Sequence, residues 1–325
     1  MTKFVVIMLV SYVLTLVLGR LILPVLRALK AGQSVRDIGP VWHNNKVGTP
    51  LMGGTMFILS LTICLLGMIH WMEDYTAFYV LGLSLCFGLV GFLDDFCKVK
   101  YKRDLGLTPI QKSLLQLAVS ALFLYLLYRK GVLTCDLYIP FFDVTFYIHP
   151  IVYIFFAMFV MVGCVNAVNL TDGIDGLSSS VTIPVMIFFT AAAIGMKRFD
   201  LALLPAILTA GLLAYLVFNF HPAQVFMGDT GSLFLGGIVC GMAFALDVPL
   251  VLILVGFVYI IETLSVILQV SYFKITHGKR IFKMAPIHHH FEMCGWKEEK
   301  IVFVFTAVSA VMCIVGWFSI SHLVG

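Results

Sequence analysis

Residues 150–180 read "PIVYIFFAMFVMVGCVNAVNLTDGIDGLSSS". An oily run opens directly into a stretch holding Asn166, Asn169, Asp172, Gly173, Asp175 and Gly176, with no Lys or Arg nearby. At roughly 1.5 Å of rise per helical residue, apolar runs of about 17 to 23 residues match a hydrocarbon core of about 30 Å. Lipid offers no partner for backbone N–H and C=O groups, so such runs are helices rather than barrel strands.

The same alternation of oily run and polar loop recurs along the chain. Ten spans are predicted, at about 4–26, 50–70, 76–93, 110–128, 150–168, 178–196, 201–218, 231–246, 249–271 and 301–321. Composition agrees: 61% of the residues are hydrophobic, 12% are charged and the mean hydropathy is +1.04, which leaves too little polar surface for a soluble chain of 325 residues. The fold class is therefore all-α, a polytopic membrane protein forming one domain over residues 1–325. The first run ends in "LPVLRALK" without a small-residue cleavage site, so it reads as a retained helix.

Lys and Arg set the orientation, because cytoplasmic loops keep an excess of positive charge. The loops after spans 1, 3 and 9 hold fifteen of them, and the opposite side holds five. Both termini are thus expected outside. The net charge of +4 is topological and does not indicate nucleic-acid binding. The eight Cys are scattered without a CxxC pair, which argues against a disulfide framework or a thiolate metal site. Outside, residues 134–148, "TCDLYIPFFDVTFYI", place β-formers around a Pro and an Asp and predict a small hairpin on the membrane surface.

The inner loops carry the chemistry. They read "VWHNNKVGTPLMGG" (41–54), "GFLDDFCKVKYKRDLGLTPIQK" (91–112), "NAVNLTDGIDGLSS" (166–179), "FNFHPAQVFMGDTGSL" (218–233) and "KRIFKMAPIHHHFEMCGWKEEK" (279–300). With ten spans, all five converge on one face. Asp94, Asp95, Asp172, Asp175 and Asp229 then form a set, and the loops of the last three contain no Lys or Arg. Such a cluster repels itself unless a cation supplies charge, and Mg²⁺ suits hard oxygen ligands completed by substrate phosphates. The competing account is that these Asp cap helices or pair with bases from other loops.

Each motif has a plain and a chemical reading. On a helix Asp94 and Asp95 point about 100° apart, so they have different jobs, and Asp94 with Lys98 makes an i,i+4 pair. In "DGIDG" each Gly permits positive φ and close approach of backbone N–H groups to a ligand; a tight turn is the plain alternative. "MGDTGS" puts Asp229 at a helix start that Thr230 or Ser232 can cap and whose dipole favours phosphate. Lys46 stands among small residues before span 2. "PIHHHFE" is internal, and three consecutive His rarely give zinc geometry, so His288, His289 and His290 are better read as contacting phosphate or moving protons. Glu262, buried in the ninth span, reads as a structural partner. That span also reads equally as a lipid-facing wall or as an ordinary bundle helix.

The strings "NKVGTPLMGG", "GFLDDFCKV", "NAVNLTDGIDGL", "FNFHPAQVFMGDTGSL" and "PIHHHFE", in this order, resemble the phospho-N-acetylmuramoyl-pentapeptide-transferase family of peptidoglycan synthesis. The likeness runs from the first span to the tenth, with Leu51 where Thr is common and Phe96 where Tyr is common. The resemblance implies ten transmembrane helices, a homodimer, Mg²⁺ and a cleft open to the cytoplasm at a bacterial inner membrane. It implies that undecaprenyl phosphate attacks the β-phosphate of UDP-N-acetylmuramoyl-pentapeptide, giving lipid I and UMP. It places the metal on Asp229, and the uridine pocket on Lys46, Asn169, Asp175 and Phe226, the last stacking on uracil. Asp94, Asp95 and Lys112 fall on the lipid-phosphate side, His289, His290 and Asn219 near the diphosphate. Asp172 touches the acceptor phosphate or the sugar, or holds the loop.

Phosphoryl transfer asks mainly for charge neutralisation and in-line positioning, so direct attack is favoured over an Asp nucleophile with a phospho-enzyme. Polyprenyl-phosphate N-acetylhexosamine-1-phosphate transferases share the Asp loops, and the continuous "PIHHHFE" points away from them. A cation transporter would place its acids near the midplane, commonly with internal repeats, and none is visible at the level of these motifs.

Overall fold

The computed structural model of the chain describes residues 2–29, 48–101 and 106–324. Lys46 lies outside the described residues. In chain order the elements are α1 (Thr2–Ala28), α2 (Thr55–Gly67), α3 (Thr76–Tyr101), α4 (Pro109–Lys130), β1 (Asp136–Ile139), β2 (Val144–Tyr147), α5 (Pro150–Thr171), α6 (Leu177–Gly195) and α7 (Phe199–Asn219). They continue with α8 (Gly228–Ala245), α9 (Leu252–Val255), α10 (Phe257–Ile275), α11 (Ile287–Met293) and α12 (Glu298–Ser319).

Among the described residues, nine helices are long and apolar enough to cross a membrane. The predicted second span is shorter than expected, 13 residues in α2, rising about 20 Å, with a 3₁₀ turn at Ile69–Trp71 extending it. It still joins the two faces. Its start is tied to the head of α8 by Gly53 N–H to Phe226 O (2.8 Å) and Gly54 N–H to Met227 O (3.2 Å). Beyond its end, the Lys3 ammonium at the start of α1 lies 5.6 Å from the Trp71 ring. Among the described residues nine long spans and this shorter apolar helix therefore run between the two faces, and the protein is a multi-pass, all-α membrane protein.

Two boundaries differ from the sequence reading. α3 runs on to Tyr101, so Asp94 and Asp95 sit inside a helix rather than in a loop. The predicted span 249–271 is broken at Gly256: a 3₁₀ turn (Pro249–Val251) and α9 precede α10, which continues to Ile275. Along α10 one stripe is buried, Val258, Tyr259, Glu262, Ser265 and Gln269, while Leu264, Ile267 and Leu268 are exposed.

α7 and α8 form the centre, buried on nearly every side. α8 is built for this, since Gly236 meets Val165 of α5 and Gly237 meets Ser84 of α3, and small residues let membrane helices approach closely. Polar ties add to the packing. Ser11 Oγ of α1 donates to Ile207 O of α7 at 3.0 Å, and Ser60 Oγ of α2 to Ser11 O at 3.0 Å. The predicted hairpin is present as β1 paired antiparallel with β2. It lies on the face away from the inner loops, where Thr134 Oγ1 donates to Asp247 beyond the end of α8 and Phe141 N–H to Ser319 O at the end of α12.

On that same face Asp74 organises three helix ends. It accepts from Thr76 N–H (3.0 Å) at the head of α3, from Lys130 Nζ (2.6 Å) at the tail of α4 and from Arg198 (2.9 Å) before α7. Burial works against its charge, but the bonds from Lys130, Thr76 and Arg198 outweigh it and hold the carboxyl well below the usual range.

Candidate active site

Local sequence explains how the acid-rich face is assembled. Thr108 and Gln111 form a capping box at the head of α4, with Pro109 in the first turn, and this fixes Lys112 one turn in. The α3 extension carries Asp94, Asp95 and Lys98 along its last turns. α3 and α8 come into contact at Gly91, where a Cβ would stand 2.1 Å from Asp229 O, so no larger residue fits there without displacing α8.

Asp229, in the first turn of α8, is the meeting point. Its Oδ2 accepts from Lys112 Nζ at 2.7 Å and Lys98 Nζ at 3.1 Å, and its Oδ1 from Asn169 Nδ2 at 2.9 Å. Asn169 Nδ2 also donates to Ser232 Oγ at 2.8 Å. Asp94 is 3% exposed and pairs with Lys98 at 2.6 Å, the predicted i,i+4 bridge, while accepting from Leu107 N–H at 2.8 Å.

Asp95 has a different job, as the 100° offset predicted. It accepts from Asp229 N–H (3.2 Å), Thr230 N–H (2.9 Å) and Thr230 Oγ1 (2.7 Å). It therefore caps α8 from another helix. The expected cap by Thr230 or Ser232 is not made: Thr230 donates to Asp95, and Ser232 Oγ donates to Gly228 O at 2.9 Å.

The loop that holds Asp229 has no Lys or Arg of its own, as read from the sequence, but in space it does not lack them. Lys98 and Lys112 reach Asp229 from α3 and α4, so pairing with bases from another loop accounts for part of its charge balance. Asp94, Asp95 and Asp229 nevertheless offer carboxylate oxygens within 4.8 Å of one another. That hard-oxygen set fits Mg²⁺ chemistry, and the lysine ammoniums stand where a divalent ion would compete for the same oxygens.

The "DGIDG" loop follows α5, with Asp172 at its C-cap. Part of the Asp172 surface stays open, yet its carboxyl is pushed well above the usual range, first by burial and then by Asp229, Asp95 and Asp175. Of the two glycines, Gly176 adopts the positive φ expected (+75°). Gly173 does not; a Cβ there would meet His288 Nε2 at 2.1 Å.

Asp175 faces a second cluster, with its carboxylate 2.9 Å from His221 Nδ1 and 3.0 Å from Ala223 N–H, and its own N–H donating to Glu298 Oε2 at 3.2 Å. Asp175, His221 and Glu298 also bring ligand atoms within 4.8 Å, beside a 530 Å³ cavity lined by Thr49, Glu292, Trp296 and Lys297 among others. His221, Glu298 and Trp296 were not singled out from sequence. His221 stands in the quoted "FNFHPAQ", but only folding brings it against Asp175.

The remaining candidates are placed as follows. Asn219, 2% exposed, donates to Val225 O at 3.0 Å and holds the 220–226 turn. Phe226 is locked by its backbone, N–H to Pro50 O and C=O from Gly53 N–H, both 2.8 Å, with its side chain partly buried. His288 is fully buried against Glu262, His289 Nδ1 lies 2.6 Å from Glu292, and His290 Nδ1 accepts from Lys283 N–H at 3.1 Å. Described parts of all five inner loops thus meet on one face.

Known proteins agree in family. The profile of glycosyl transferase family 4 matches residues 77–247. A phospho-N-acetylmuramoyl-pentapeptide-transferase of Clostridium acetobutylicum is 45% identical over 313 residues, covering 96% of this chain and 97% of its own. One of Clostridium perfringens is 46% identical over 320 residues (98% and 99%), and one of a Thermoanaerobacter species 44% over 312 (96% and 97%).

Proposed function

The chain belongs to glycosyl transferase family 4 and, within it, to the phospho-N-acetylmuramoyl-pentapeptide-transferases, and on that premise we propose the reaction it catalyses. Undecaprenyl phosphate attacks the β-phosphorus of UDP-N-acetylmuramoyl-pentapeptide; the bond from that phosphorus to the bridging oxygen breaks, UMP leaves and lipid I forms. The active face is cytoplasmic, in a bacterial inner membrane, and the protein assembles as a homodimer.

The observation that carries this proposal is the setting of Asp229 at the positive end of α8, two lysines on one oxygen and Asn169 on the other. Helix N-termini and ammonium groups favour the negative charge that builds on a diphosphate as it is displaced. Asp229, with Asp94 beside it, would hold Mg²⁺, which when bound supplies further neutralisation of the diphosphate oxygens. Lys98 and Lys112 screen the approach of one anion to another. Asp94 accepts any proton left on the acceptor phosphate, which is already largely ionised near neutral pH. Direct attack follows from this charge pattern, since a carboxylate nucleophile would add repulsion without lowering a barrier.

We assign Asp175, His221 and the cavity of about 530 Å³ that they line to the donor's nucleoside side, and Phe226 to it by the resemblance. Lys46 joins them by the resemblance alone. The row His288 to His290 serves the diphosphate side.

Donor choice tests the proposal. Purified protein in nanodiscs with undecaprenyl phosphate should release UMP from UDP-N-acetylmuramoyl-pentapeptide and leave UDP-N-acetylglucosamine intact. Turnover of the hexosamine donor alone would contradict it.

A further inference from the structure

Glu262 sits in the second turn of α10, a membrane-spanning helix that is otherwise largely open to lipid, yet it is 0% exposed. An acid in that position is costly unless it is partnered. Its partner is His288, also 0% exposed, with Nδ1 3.0 Å from Glu262 Oε2. Whichever of the two carries the shared hydrogen, the bond fixes the ring, and its opposite edge is thereby aimed by Glu262.

That edge points at the acid-rich loop. His288 Nε2 has no hydrogen-bond partner among the described residues, and it packs on the backbone of Gly173, where a Cβ would come within 2.1 Å of Nε2 and 2.6 Å of Cε1. Gly173 separates Asp172 from Ile174 and Asp175. On its other side, His288 begins the histidine row of α11: the His288 and His289 rings lie 4.1 Å apart between centroids, and His289 is held by Glu292. One buried carboxylate therefore braces both the 172–176 loop and the row of histidines.

We propose that Glu262 is a positioning residue for the transfer reaction, acting through His288 to hold the Asp172–Gly176 loop and the α11 histidines in register. This rests on the function proposed above, since both segments are assigned there to the substrates. Glu262 itself touches no substrate. Loss of such a support costs about 10- to 100-fold in activity, in the range of other groups that orient a site residue from behind.

The test is a double-mutant cycle on kcat with thermal unfolding run in parallel. Glu262→Leu should lower kcat about 10-fold or more with donor KM changed much less, and Glu262→Gln, whose amide can still bond the ring, should recover most of it. Gly173→Ala, which pushes the ring away from the loop, should give a loss of similar size. Because Glu262 acts through His288, Glu262→Leu should add little to His288→Asn, so the double variant matches the single one. Wild-type kcat in Glu262→Leu, or losses that multiply in the double variant, would overturn the proposal. If Glu262→Leu does not fold, Gly173→Ala decides: a folded variant with wild-type kcat overturns the proposal, and one with the loss supports it. The cycle is run with whichever UDP-sugar the wild type accepts, so a wrong donor assignment leaves it readable.

Discussion

Asp95 of α3 takes two hydrogen bonds from Thr230 of α8, one from the backbone N–H at 2.9 Å and one from Oγ1 at 2.7 Å. With Asp229 N–H on its other oxygen, Asp95 occupies the place of an N-cap while belonging to a different helix. The carboxylate that follows it in the fold, Asp229, is thereby set at the head of α8 facing both lysines.

Asp95→Ala should therefore destabilise as well as inactivate. Three donors lose their acceptor at a site only 1% exposed, a loss on the order of 1–3 kcal/mol. Thermal unfolding in detergent should show a clearly lowered midpoint. Asp94→Ala should lower turnover with a smaller shift, since Asp94 bonds one lysine and one loop N–H.

Lys112 Nζ stands 2.7 Å from Asp229 Oδ2, where it would compete with the Mg²⁺ proposed above. Lys112→Met should bind Mg²⁺ about tenfold more tightly in calorimetric titration, because a repelling charge is gone from the ion's ligand. Its activity should nevertheless fall on the order of 10²-fold, as for other lost electrostatic stabilisers. Equal metal affinity in variant and wild type would place the ion away from Asp229.

Asp172 gives a pH dependence of stability. Its carboxyl is raised in the fold by burial and by Asp229, Asp95 and Asp175, so the folded state binds that proton more tightly than the unfolded chain does. Stability is then favoured below the unfolded value near 3.9 and lost as pH rises toward the folded value. With a chelator present, Asp172→Asn should match the wild type near pH 4 and exceed it progressively at higher pH. Unfolding midpoints across that range check the sign.

Asp74 works in the opposite sense. Lys130, Thr76 and Arg198 hold its carboxyl low, so its contribution is present above about pH 4 and fades as pH falls through the folded value. Asp74→Asn should lower the unfolding midpoint at pH 7 modestly, because a third of the side chain is exposed, and the gap should close in acid.

The fold was largely legible in the sequence because lipid leaves a chain few options, and runs such as 150–168 show their helices by length alone. Legibility failed where packing overrules the local pattern. "FLDDFCK" ends the hydrophobic run at Leu93, yet α3 continues, since Asp94 and Asp95 find Lys98, Leu107 and Thr230 as partners. Gly256 breaks an unbroken oily run in which no charge marks the break. In the site, acids and glycines advertised themselves through spacing. His221 and Glu298 did not, because their meeting with Asp175 joins segments 46 and 123 residues away in sequence. Gly173 was visible, but its reason was not: the ring of His288 lies against it, and no turn geometry demands it.

The most direct measurement is formation of the lipid-linked product from labelled UDP-N-acetylmuramoyl-pentapeptide and undecaprenyl phosphate, with Mg²⁺ or chelator, in wild type and Asp229→Asn. The account predicts Mg²⁺-dependent lipid I with one UMP released per lipid formed, and loss of both in the variant while it remains folded. Lipid formation that survives chelation, or that persists in Asp229→Asn at the wild-type rate, would contradict it.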